Sequence, residues 1–441
     1  MLLNYRVANY RSLKDTQEFD LRPVYRKNEH ALRVAAIYGA NASGKSNILR
    51  SLRFMHDVIL EQEQSWKNSD GAPRDAFLLD ESSQDVPSSF AVDVMAEGVR
   101  YSYGFSVDGS KVTEEWLYGY PKGSKRKLFE REGQEYSIGP SVAAPRVTLL
   151  QELVPDNGLF LSAAARAKLE EFRPVYDWFR SSIWFASDDR QNELMRRRNT
   201  QELLGSVETA ERVQELIRAA DLGIREARLP EVEFVFEEVP QDRGGPPPGG
   251  FQVRPGKGGA ATIIYSGDRP NLTERQISRL MRGRDIMFEH VGQRSADLSF
   301  EEESRGTKAW FDMIGFVLQA LRNGWTLVID ELDTSLHPLL IAHLVRLFQH
   351  SSSNPKGAQI IFTTHDVSLL GRQGGEELLH RDEIWFVEKS DVGESTLFSL
   401  TDFKPRDGMN WEKRYLGGAL GAVPYVNASL LADAVTGGTG E

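Results

Sequence analysis

One short segment, Gly39-Ala-Asn-Ala-Ser-Gly44-Lys45-Ser46, constrains the fold of this 441-residue chain more than any other. It follows an apolar run, Arg33–Tyr38, that is typical of a strand buried on both faces of a sheet. It precedes apolar residues spaced three and four apart between Ile48 and Ile59, a pattern that predicts an amphipathic helix. Glycines in such a loop let backbone N–H groups surround phosphate oxygens, and the helix N-terminus adds partial positive charge. The sequence therefore predicts an α/β fold with a phosphate-binding loop.

The loop matches G-x-x-x-x-G-K-[ST] at every fixed position, and each fixed residue has a chemical reason. Lys45 is expected to reach the β and γ phosphates, and the Ser46 hydroxyl is expected to bind Mg²⁺. The guanine-specific motif Asn/Thr-Lys-x-Asp is absent, since Glu388-Lys-Ser-Asp391 has the wrong first residue, so ATP and Mg²⁺ are the expected ligands. The predicted ATP-binding residues of this segment are Gly39, Asn41, Ala42, Ser43, Gly44, Lys45, Ser46 and Asn47.

A second apolar strand, Trp325–Ile329, ends in two carboxylates. Asp330 is placed to hold Mg²⁺ through water, and Glu331 is the candidate general base that positions the attacking water. The alternative is that the two carboxylates only cap a strand, which would be the default without the phosphate-binding loop. Glu331 is therefore predicted to be catalytic, and Asp330 and Ser46 to be the metal ligands.

Composition excludes several other classes of protein. The chain has no cysteine, which excludes a disulfide scaffold, cysteine-ligated zinc, iron–sulfur clusters and a thiol nucleophile, and fits a reducing cytoplasm. No apolar stretch reaches the roughly 20 residues of a membrane span, and we expect a cytoplasmic protein without a membrane partner. The net charge of −11 argues against a protein that coats nucleic acid by bulk charge.

The 285 positions between Lys45 and Asp330 predict a large insertion between two halves of one sheet. Strand-like segments separated by turn residues between Phe90 and Tyr120 predict an antiparallel meander. Leu-, Ala-, Glu- and Arg-rich stretches predict helices between about 160 and 225. The expected domains are 1–150 with the phosphate-binding loop and meander, 151–287 as a helical insertion with a flexible Gly/Pro-rich loop at 242–260, 288–426 as the second half of the head, and a flexible tail at 427–441.

This layout resembles the ABC-type ATPases of the SMC and recombination-repair branch, over roughly Met1–Tyr120 and Phe288–Tyr425. The resemblance implies a head with a mixed, mostly parallel sheet and two ATP molecules sandwiched between chains. Glu303-Ser304-Arg305-Gly306-Thr307 stands where the family has its signature, 26 residues before Asp330, although Ser304 also suits a simple helix N-cap. Further residues match family positions: Ser304 and Gly306 in the trans signature, Asp333 in the D-loop Leu332–Pro338, His365 as the switch histidine, Arg11 beside the nucleotide, and Gln84 as the Q-loop glutamine and a metal ligand.

The sequence is more similar still to bacterial ATPases of abortive-infection and phage-defence operons, which are related to the ATPase half of overcoming-lysogenisation-defect nucleases. That similarity implies a Mg²⁺-dependent ATPase that forms a homodimer or higher homo-oligomer and regulates a separate effector. In this group the effector often has a Toprim-type nuclease fold. The alternatives are a DNA-repair or recombination ATPase and an ATP-dependent scaffold with little turnover. No Toprim pattern occurs in this chain, so any nuclease is expected to be a partner protein.

Three basic clusters leave nucleic acid as a possible partner. They are Lys122-Gly-Ser-Lys-Arg-Lys127, Arg196-Arg-Arg198, and the run Arg275, Arg279, Arg282 and Arg284. The alternative for each cluster is solvated charge on a loop or helix face.

Overall fold

A computed structural model describes residues 1–65, 71–72, 74–142, 144–187, 189–220, 222–229, 234–243, 245–247, 250–255, 261–270, 286–404, 408–423, 429 and 434. The chain divides into two compact units. The first consists of Met1–Ser187 and Gln319–Glu441, and the second of Asp188–Leu318. The phosphate-binding loop and the strand that ends at Asp330 therefore belong to one unit, although the second unit separates them in sequence.

A six-stranded sheet in the order β21-β20-β3-β17-β16-β9 forms the nucleotide-binding half of the first unit. All neighbouring strands are parallel except β20 and β21, as expected where helical crossovers connect the strands. Every residue of β3, β16 and β17 is buried, which explains why these strands read as continuous apolar runs. The strands are β3 (Val34–Tyr38), β9 (Ile183–Ala186), β16 (Thr326–Ile329), β17 (Gln359–Thr363), β20 (Ile384–Lys389) and β21 (Ser395–Ser399). The predicted mixed, mostly parallel sheet is confirmed.

The first unit also contains a seven-stranded antiparallel sheet. Its strands follow the order β2-β1-β4-β5-β6-β7-β8. Alternate residues such as Tyr103, Phe105 and Val107 face a common hydrophobic core. The predicted meander is present and extends beyond Tyr120. Its strands are β1 (Leu2–Ala8), β2 (Gln17–Asp20), β4 (Ser88–Ala96), β5 (Val99–Val107), β6 (Val112–Tyr120), β7 (Arg126–Glu132) and β8 (Glu135–Ile138).

Helices pack around these two sheets. They are α1 (Lys45–Ser65), α2 (Ala144–Leu153), α3 (Phe160–Arg166), α4 (Arg173–Ser181), α8 (Pro338–Gln349) and α9 (Trp411–Leu416). The predicted apolar stripe of α1 is buried at Ile48, Leu52, Met55 and Ile59. A two-stranded ribbon, β18 (Arg372–Gln373) with β19 (Glu376–Glu377), completes the described strands of this unit.

The second unit contains helices α5 (Arg190–Leu204) and α6 (Ala210–Ala219) and most of α7 (Arg305–Asn323). It also contains two three-stranded sheets, which the sequence analysis did not predict. The first sheet has β10 (Ile224–Arg228), β14 (Met287–His290) and β15 (Ala296–Ser299); the second has β11 (Phe234–Glu238), β12 (Phe251–Pro255) and β13 (Ala261–Tyr265).

The predicted helical insertion at 151–287 therefore differs from the structure in two ways. The helices α2, α3 and α4 belong to the first unit, and the second unit extends to Leu318. The loop predicted at 242–260 contains strand β12, whose Phe251 and Val253 pair with β13. The Gly and Pro content of this segment indicated a loop. The strand forms because β13, which lies outside the segment, supplies its hydrogen-bond partners.

Two predictions fall outside the described residues: the run from Arg275 to Arg284 and nearly all of the tail at 427–441. Across the described residues, no helix combines the length and apolar character needed to cross a membrane.

Candidate nucleotide-binding site

The phosphate-binding loop begins where β3 ends, and its glycines stand at positions that other residues cannot occupy. A Cβ on Gly39 would lie 2.4 Å from the carbonyl oxygen of Val387 on the neighbouring strand β20. Gly44 has φ +108°, and a Cβ there would lie 2.3 Å from the Ser395 hydroxyl oxygen. Ala42 also adopts a left-handed φ of 61°. The loop is thus held in one compact shape by strands β20 and β21.

Lys45, the first residue of α1, is buried beneath this loop with only 5% of its surface exposed. Its ammonium donates hydrogen bonds to the carbonyl oxygens of Gly39 at 2.8 Å and Ala40 at 3.0 Å. Burial lowers the pKa of this ammonium, and the nearby carboxylates, Glu331 first, act in the opposite direction. A cation held in so little solvent is poised to exchange carbonyl contacts for a phosphate.

Ser46, Asp330 and Thr363 form a hydrogen-bonded group beside Lys45. The Ser46 and Thr363 hydroxyls both donate to Asp330 Oδ1, at 3.0 and 2.7 Å. Mg²⁺ prefers oxygen ligands and retains waters and phosphate oxygens in its shell, so two protein ligands suffice in nucleotide sites. The hydroxyl and carboxylate of Ser46 and Asp330 fit that chemistry. The described residues contain no group of three or more acidic or histidine side chains that could form an all-protein metal cage.

Glu331 immediately follows, with a left-handed φ of 54° that turns its side chain towards solvent at the end of β16. Its backbone N–H donates to the Thr363 hydroxyl at 2.7 Å, so Thr363 contacts both consecutive carboxylate residues. Such a conformation is unfavourable for a residue with a side chain, and surrounding contacts must maintain it.

These side chains surround a cavity of about 820 Å³. Its lining consists of residues Asn41, Ala42, Ser43, Gly44, Lys45, Ser46, Asn47, Arg50, Glu331, His365 and Lys389. The Ser43 hydroxyl is buried and lacks a hydrogen-bond partner in the described part of the chain, as expected of a donor that awaits a ligand. The loop N–H groups, Lys45 and this hydroxyl therefore fit an anionic, phosphate-bearing molecule. Arg50 and Lys389 add two cations that the sequence analysis did not single out.

His365 and Asp333 are joined at the rim of the site. The backbone N–H of His365 donates to both Asp333 carboxylate oxygens at 3.2 Å. Asp333, which was predicted to belong to the D-loop, thus fixes the start of the segment that carries His365 within the same chain.

Arg11 and Gln84 are not among the residues that line this cavity. The Arg11 guanidinium forms an ion pair with Asp75 at 2.8 Å, and the Gln84 amide donates to the Phe77 carbonyl at 2.9 Å. Both side chains line a neighbouring pocket instead. The polar groups of both side chains have other partners in this structure, and Gln84 as a metal ligand and Arg11 as a phosphate contact stay predictions.

Hydrogen bonds of the Ser12 and Ser395 hydroxyls connect the phosphate-binding loop and α1 to neighbouring segments. The Asn47 amide donates to the Ser12 hydroxyl at 2.7 Å. The Ser395 hydroxyl contacts Ser12 at 2.8 Å and the Ser43 carbonyl at 2.6 Å. Asn47 thus lines the cavity and also ties α1 to the turn after β1. Ser395 carried no signal in the sequence, since it lies 352 residues from Ser43.

The signature segment lies in the second unit, where Ser304 is exposed just before α7. Its hydroxyl accepts the backbone N–H of Thr307 at 3.1 Å, so Ser304 caps this helix, as the simpler reading of the sequence proposed. Gly306 lies in the first turn of α7, and the buried Glu303 contacts His290 at 2.5 Å. An exposed serine at a helix N-terminus is compatible with contact to an anion from another chain.

The fold and the site define a P-loop ATPase: a phosphate-binding loop and a carboxylate pair meet at the ends of parallel strands. Residues 34–371 match a family model described as "AAA domain, putative AbiEii toxin, Type IV TA system". The chain therefore belongs to this family of ATPases, which confirms the predicted relation to abortive-infection ATPases.

Solved structures with similarity to the chain include several SMC heads. An Smc head bound to the C-winged helix domain of ScpA shares 14% identity at a TM-score of 0.43, covering 91% of this chain and 99% of that one. The SMC head from Thermotoga maritima shares 15% sequence identity at a TM-score of 0.37, and the match covers 90% of this chain and 98% of that one. The Smc head with a coiled coil from Pyrococcus yayanosii shares 12% identity at a TM-score of 0.39, and the match covers 92% of this chain and 99% of that one. At TM-scores this low, the similarity does not by itself establish a shared fold. Among curated proteins, none matches the sequence significantly.

Proposed function

We propose that the chain is a Mg²⁺-dependent ATPase that regulates an anti-phage defence system by controlling a separate effector. The observation that supports this most is the single cavity lined by Lys45, Ser46, Glu331 and His365, with Asp330 hydrogen-bonded to Ser46. A phosphate-binding loop alone supports binding. A carboxylate that lines the same cavity, Glu331 at the end of β16, supports hydrolysis as well.

Each residue has a distinct part in this proposal. Lys45 and the loop N–H groups would neutralise the β and γ phosphates. Ser46 and Asp330 would hold Mg²⁺, which when bound supplies positive charge that polarises phosphate oxygens. Glu331 would orient a water molecule and accept its proton, since its side chain is exposed to the cavity. His365 would contact the γ-phosphate, and Asp333 would fix the backbone of His365.

We further propose that two copies, or a higher homo-oligomer, enclose the nucleotides between heads. In this arrangement, Ser304, Gly306 and the first N–H groups of α7 from one chain would complete the phosphate contacts in another. Ser304 is exposed, and the helix N-terminus behind it offers partial positive charge. ATP binding would then close the assembly because the nucleotide contacts both chains only in the closed state.

The biological part of the proposal rests on the family to which the chain belongs, whose description names an abortive-infection toxin. Among the described residues, there is no group of three or more acidic or histidine side chains that could hold a metal ion. In this proposal a separate effector, such as a Toprim-type nuclease, would carry out the final chemistry in the cytoplasm.

The first experiment tests nucleotide binding. Lys45→Ala should abolish ATP binding in calorimetry, because the buried ammonium is the main side-chain counter-charge for the phosphates. Arg53→Ala, a change in the same helix at a residue that does not line the cavity, is the matched control. Wild-type ATP affinity in Lys45→Ala would contradict the assignment of the loop.

The second experiment tests the defence role. The native operon should protect cells from phage, and Lys45→Ala should remove that protection while the effector still co-purifies or remains expressed. Protection that persists in Lys45→Ala cells, or purification of the chain with DNA-repair proteins alone, would favour the repair function instead.

A further inference from the structure

The outer face of the antiparallel sheet carries a stripe of aromatic residues. Glu115 and Leu117 of β6 are buried, and the alternate residues Trp116, Tyr118 and Tyr120 are half-buried on the opposite face. The Trp116 ring lies across strand β5, since a Cβ on Gly104 would be 2.3 Å from Trp116 Cζ2. Successive rings on one strand face are about 6.7 Å apart, two strand residues.

Cations are concentrated at one end of this stripe. Arg100 lies opposite Tyr120 in the strand register, and its guanidinium is 3.8 Å from the Tyr120 ring centre. The Lys125 ammonium is 3.6 Å from the Tyr118 ring centre. Lys122 and Arg126 flank the same turn between β6 and β7 and are exposed. We call these six residues the basic face: Arg100, Tyr118, Tyr120, Lys122, Lys125 and Arg126.

The four cations of the basic face form no ion pair with a described carboxylate, and one carboxylate, Glu130, lies beside them. The Tyr118 hydroxyl donates to Glu130 at 2.7 Å, and Lys127 of the same turn pairs with Glu130 at 3.1 Å. Arg6, Arg11, Lys14, Arg22, Arg26 and Arg131 of the same unit all have carboxylate partners. Within the described residues, no carboxylate forms an ion pair with Arg100, Lys122, Lys125 or Arg126, and Arg126 donates only to the Ser141 hydroxyl at 2.6 Å. Glu130 balances one cation, Lys127, and the four cations of the basic face therefore give this end of the sheet a local excess of positive charge in a chain of net charge −11.

The opposite end of the same strands is acidic, which limits the size of the surface. Glu114 pairs with Glu132 in the register of β6 and β7, and Glu135 follows at the start of β8. These carboxylates line a pocket together with Glu130. A polyanion is therefore attracted to one end of the sheet and repelled from the other.

We infer that the basic face binds a single strand of nucleic acid. Cations held against aromatic rings suit a flexible strand, whose phosphates meet the charges and whose bases stack on rings or on the guanidinium plane. The phosphates of a single strand would contact the cations, and its unpaired bases would contact the aromatic residues beside them. The two ring contacts also hold Arg100 and Lys125 in place, which reduces the ordering that binding requires.

This inference goes beyond the proposed ATPase function and does not depend on it. None of the six residues lines the nucleotide cavity. The phosphate and base chemistry is shared by DNA and RNA, so the two are separate arms of the test.

The experiment measures binding of the full chain, without nucleotide, to fluorescein-labelled oligothymidylate, oligouridylate and duplex DNA by anisotropy. Lys122→Ala/Lys125→Ala/Arg126→Ala is compared with Lys27→Ala/Lys356→Ala/Lys413→Ala, which removes the same charge from exposed lysines of the same unit. We expect the first variant to bind single strands at least about tenfold more weakly than the control, with a salt slope shallower by about 2, from roughly 0.7 per lost contact. Tyr118→Leu/Tyr120→Leu should weaken single-strand binding while its salt slope stays closer to wild type than that of the triple charge variant. It removes the stacking rings and their contacts to Arg100 and Lys125, but it removes no cation.

Several results would overturn the inference. Equal affinity of the two triple variants would show that the charges of the basic face are not used. Wild-type protein that binds no polynucleotide, that binds duplex as tightly as single strands, or that binds polyglutamate instead would exclude a single-strand site. Lys45→Ala protein should retain single-strand binding, so a failure of the ATPase proposal and a failure of this inference are distinguishable.

Discussion

Thr363 is the residue whose replacement tests the catalytic geometry most directly. Its hydroxyl donates to Asp330 and accepts the backbone N–H of Glu331, both at 2.7 Å, and its side chain is fully buried at the end of β17. Thr363→Val keeps the shape of the side chain and removes both hydrogen bonds. Asp330 and Glu331 then lose the contact that fixes them relative to one another.

The size of the effect follows from these two contacts. A hydrogen bond to an ionised group contributes about 1.5–3 kcal/mol and a neutral one about 0.5–1.5 kcal/mol. Glu331 also occupies a left-handed conformation that costs about 1–2 kcal/mol, and the Thr363 contact helps to maintain it. If about 1.4 to 2.8 kcal/mol of this total reaches the transition state, kcat falls about 10- to 100-fold.

The assay measures steady-state phosphate release at saturating ATP over a range of Mg²⁺ concentrations for each variant. We expect Thr363→Val to lower kcat and to raise the Mg²⁺ concentration for half-maximal activity, since Asp330 is no longer fixed. Thr363→Ser retains the hydroxyl and should recover most of the rate. Thr326→Val is the matched control. Thr326 is equally buried on the adjacent strand β16, but its hydroxyl donates to Gln359 where β16 and β17 begin, at the opposite end of these strands from the site.

The reasoning would be refuted by Thr363→Val protein with wild-type kcat and wild-type Mg²⁺ dependence. It would also be refuted if Thr326→Val lowered kcat as much, since the loss would then reflect general weakening of the sheet.

Three further predictions follow from other parts of the structure. Glu331→Gln should keep ATP affinity while turnover falls, because Lys45, Ser46 and Asp330 remain, and ATP-bound assemblies should accumulate in light scattering; unchanged turnover would remove Glu331 from catalysis. Ser304→Arg should leave ATP binding intact while blocking ATP-dependent association and hydrolysis, and a monomer that hydrolyses ATP at the wild-type rate would contradict the trans site. Glu115→Gln should reduce the free energy of unfolding, measured by urea titration, by about 3–5 kcal/mol, because the fully buried Arg131, 3.6 Å away, loses its counter-charge. The control is Glu114→Gln at the exposed neighbouring residue, which should change the free energy of unfolding little.

The phosphate-binding loop was predictable because its information is local. Strand, glycine-bounded loop and helix occupy consecutive residues, so β3, the loop and α1 could be placed from spacing alone. The same holds for β16 with Asp330 and Glu331. In each case, an apolar run of strand length directly precedes the polar residues that lie at the end of the strand.

Residues that reach the site from other strands were not predictable in the same way. Lys389 lines the cavity only because β20 lies beside β3, and Ser395 contacts the loop only because β21 follows it in the sheet. Nothing in the spacing of Glu388, Lys389 and Ser390 indicates a ligand. The order of strands has to be known before such residues can be assigned.

Gln84 and Arg11 were assigned from family positions, and the sequence could not indicate the partners that their side chains have in the structure. Each residue type suits its expected role, but the side chains are bound by Phe77 and Asp75, which no pattern in the sequence connects to them. The second unit differed for a related reason. Its strands pair over long stretches of chain, as β10 does with β14, so local composition favoured helices and loops instead.

The strand order also explains how a chain in which Lys45 and Asp330 are 285 positions apart builds one compact site. β3 and β16 are not neighbours; β17 lies between them, and all three run parallel, so their carboxyl ends lie along one edge. Thr363 therefore stands between the loop after β3 and the carboxylates after β16, and it occupies the position where a single hydroxyl reaches both Asp330 and Glu331. His365 follows two residues later on the same segment, and Asp333 binds its backbone. A shift of β17 along the sheet would thus move the contacts of Asp330, Glu331 and His365 together.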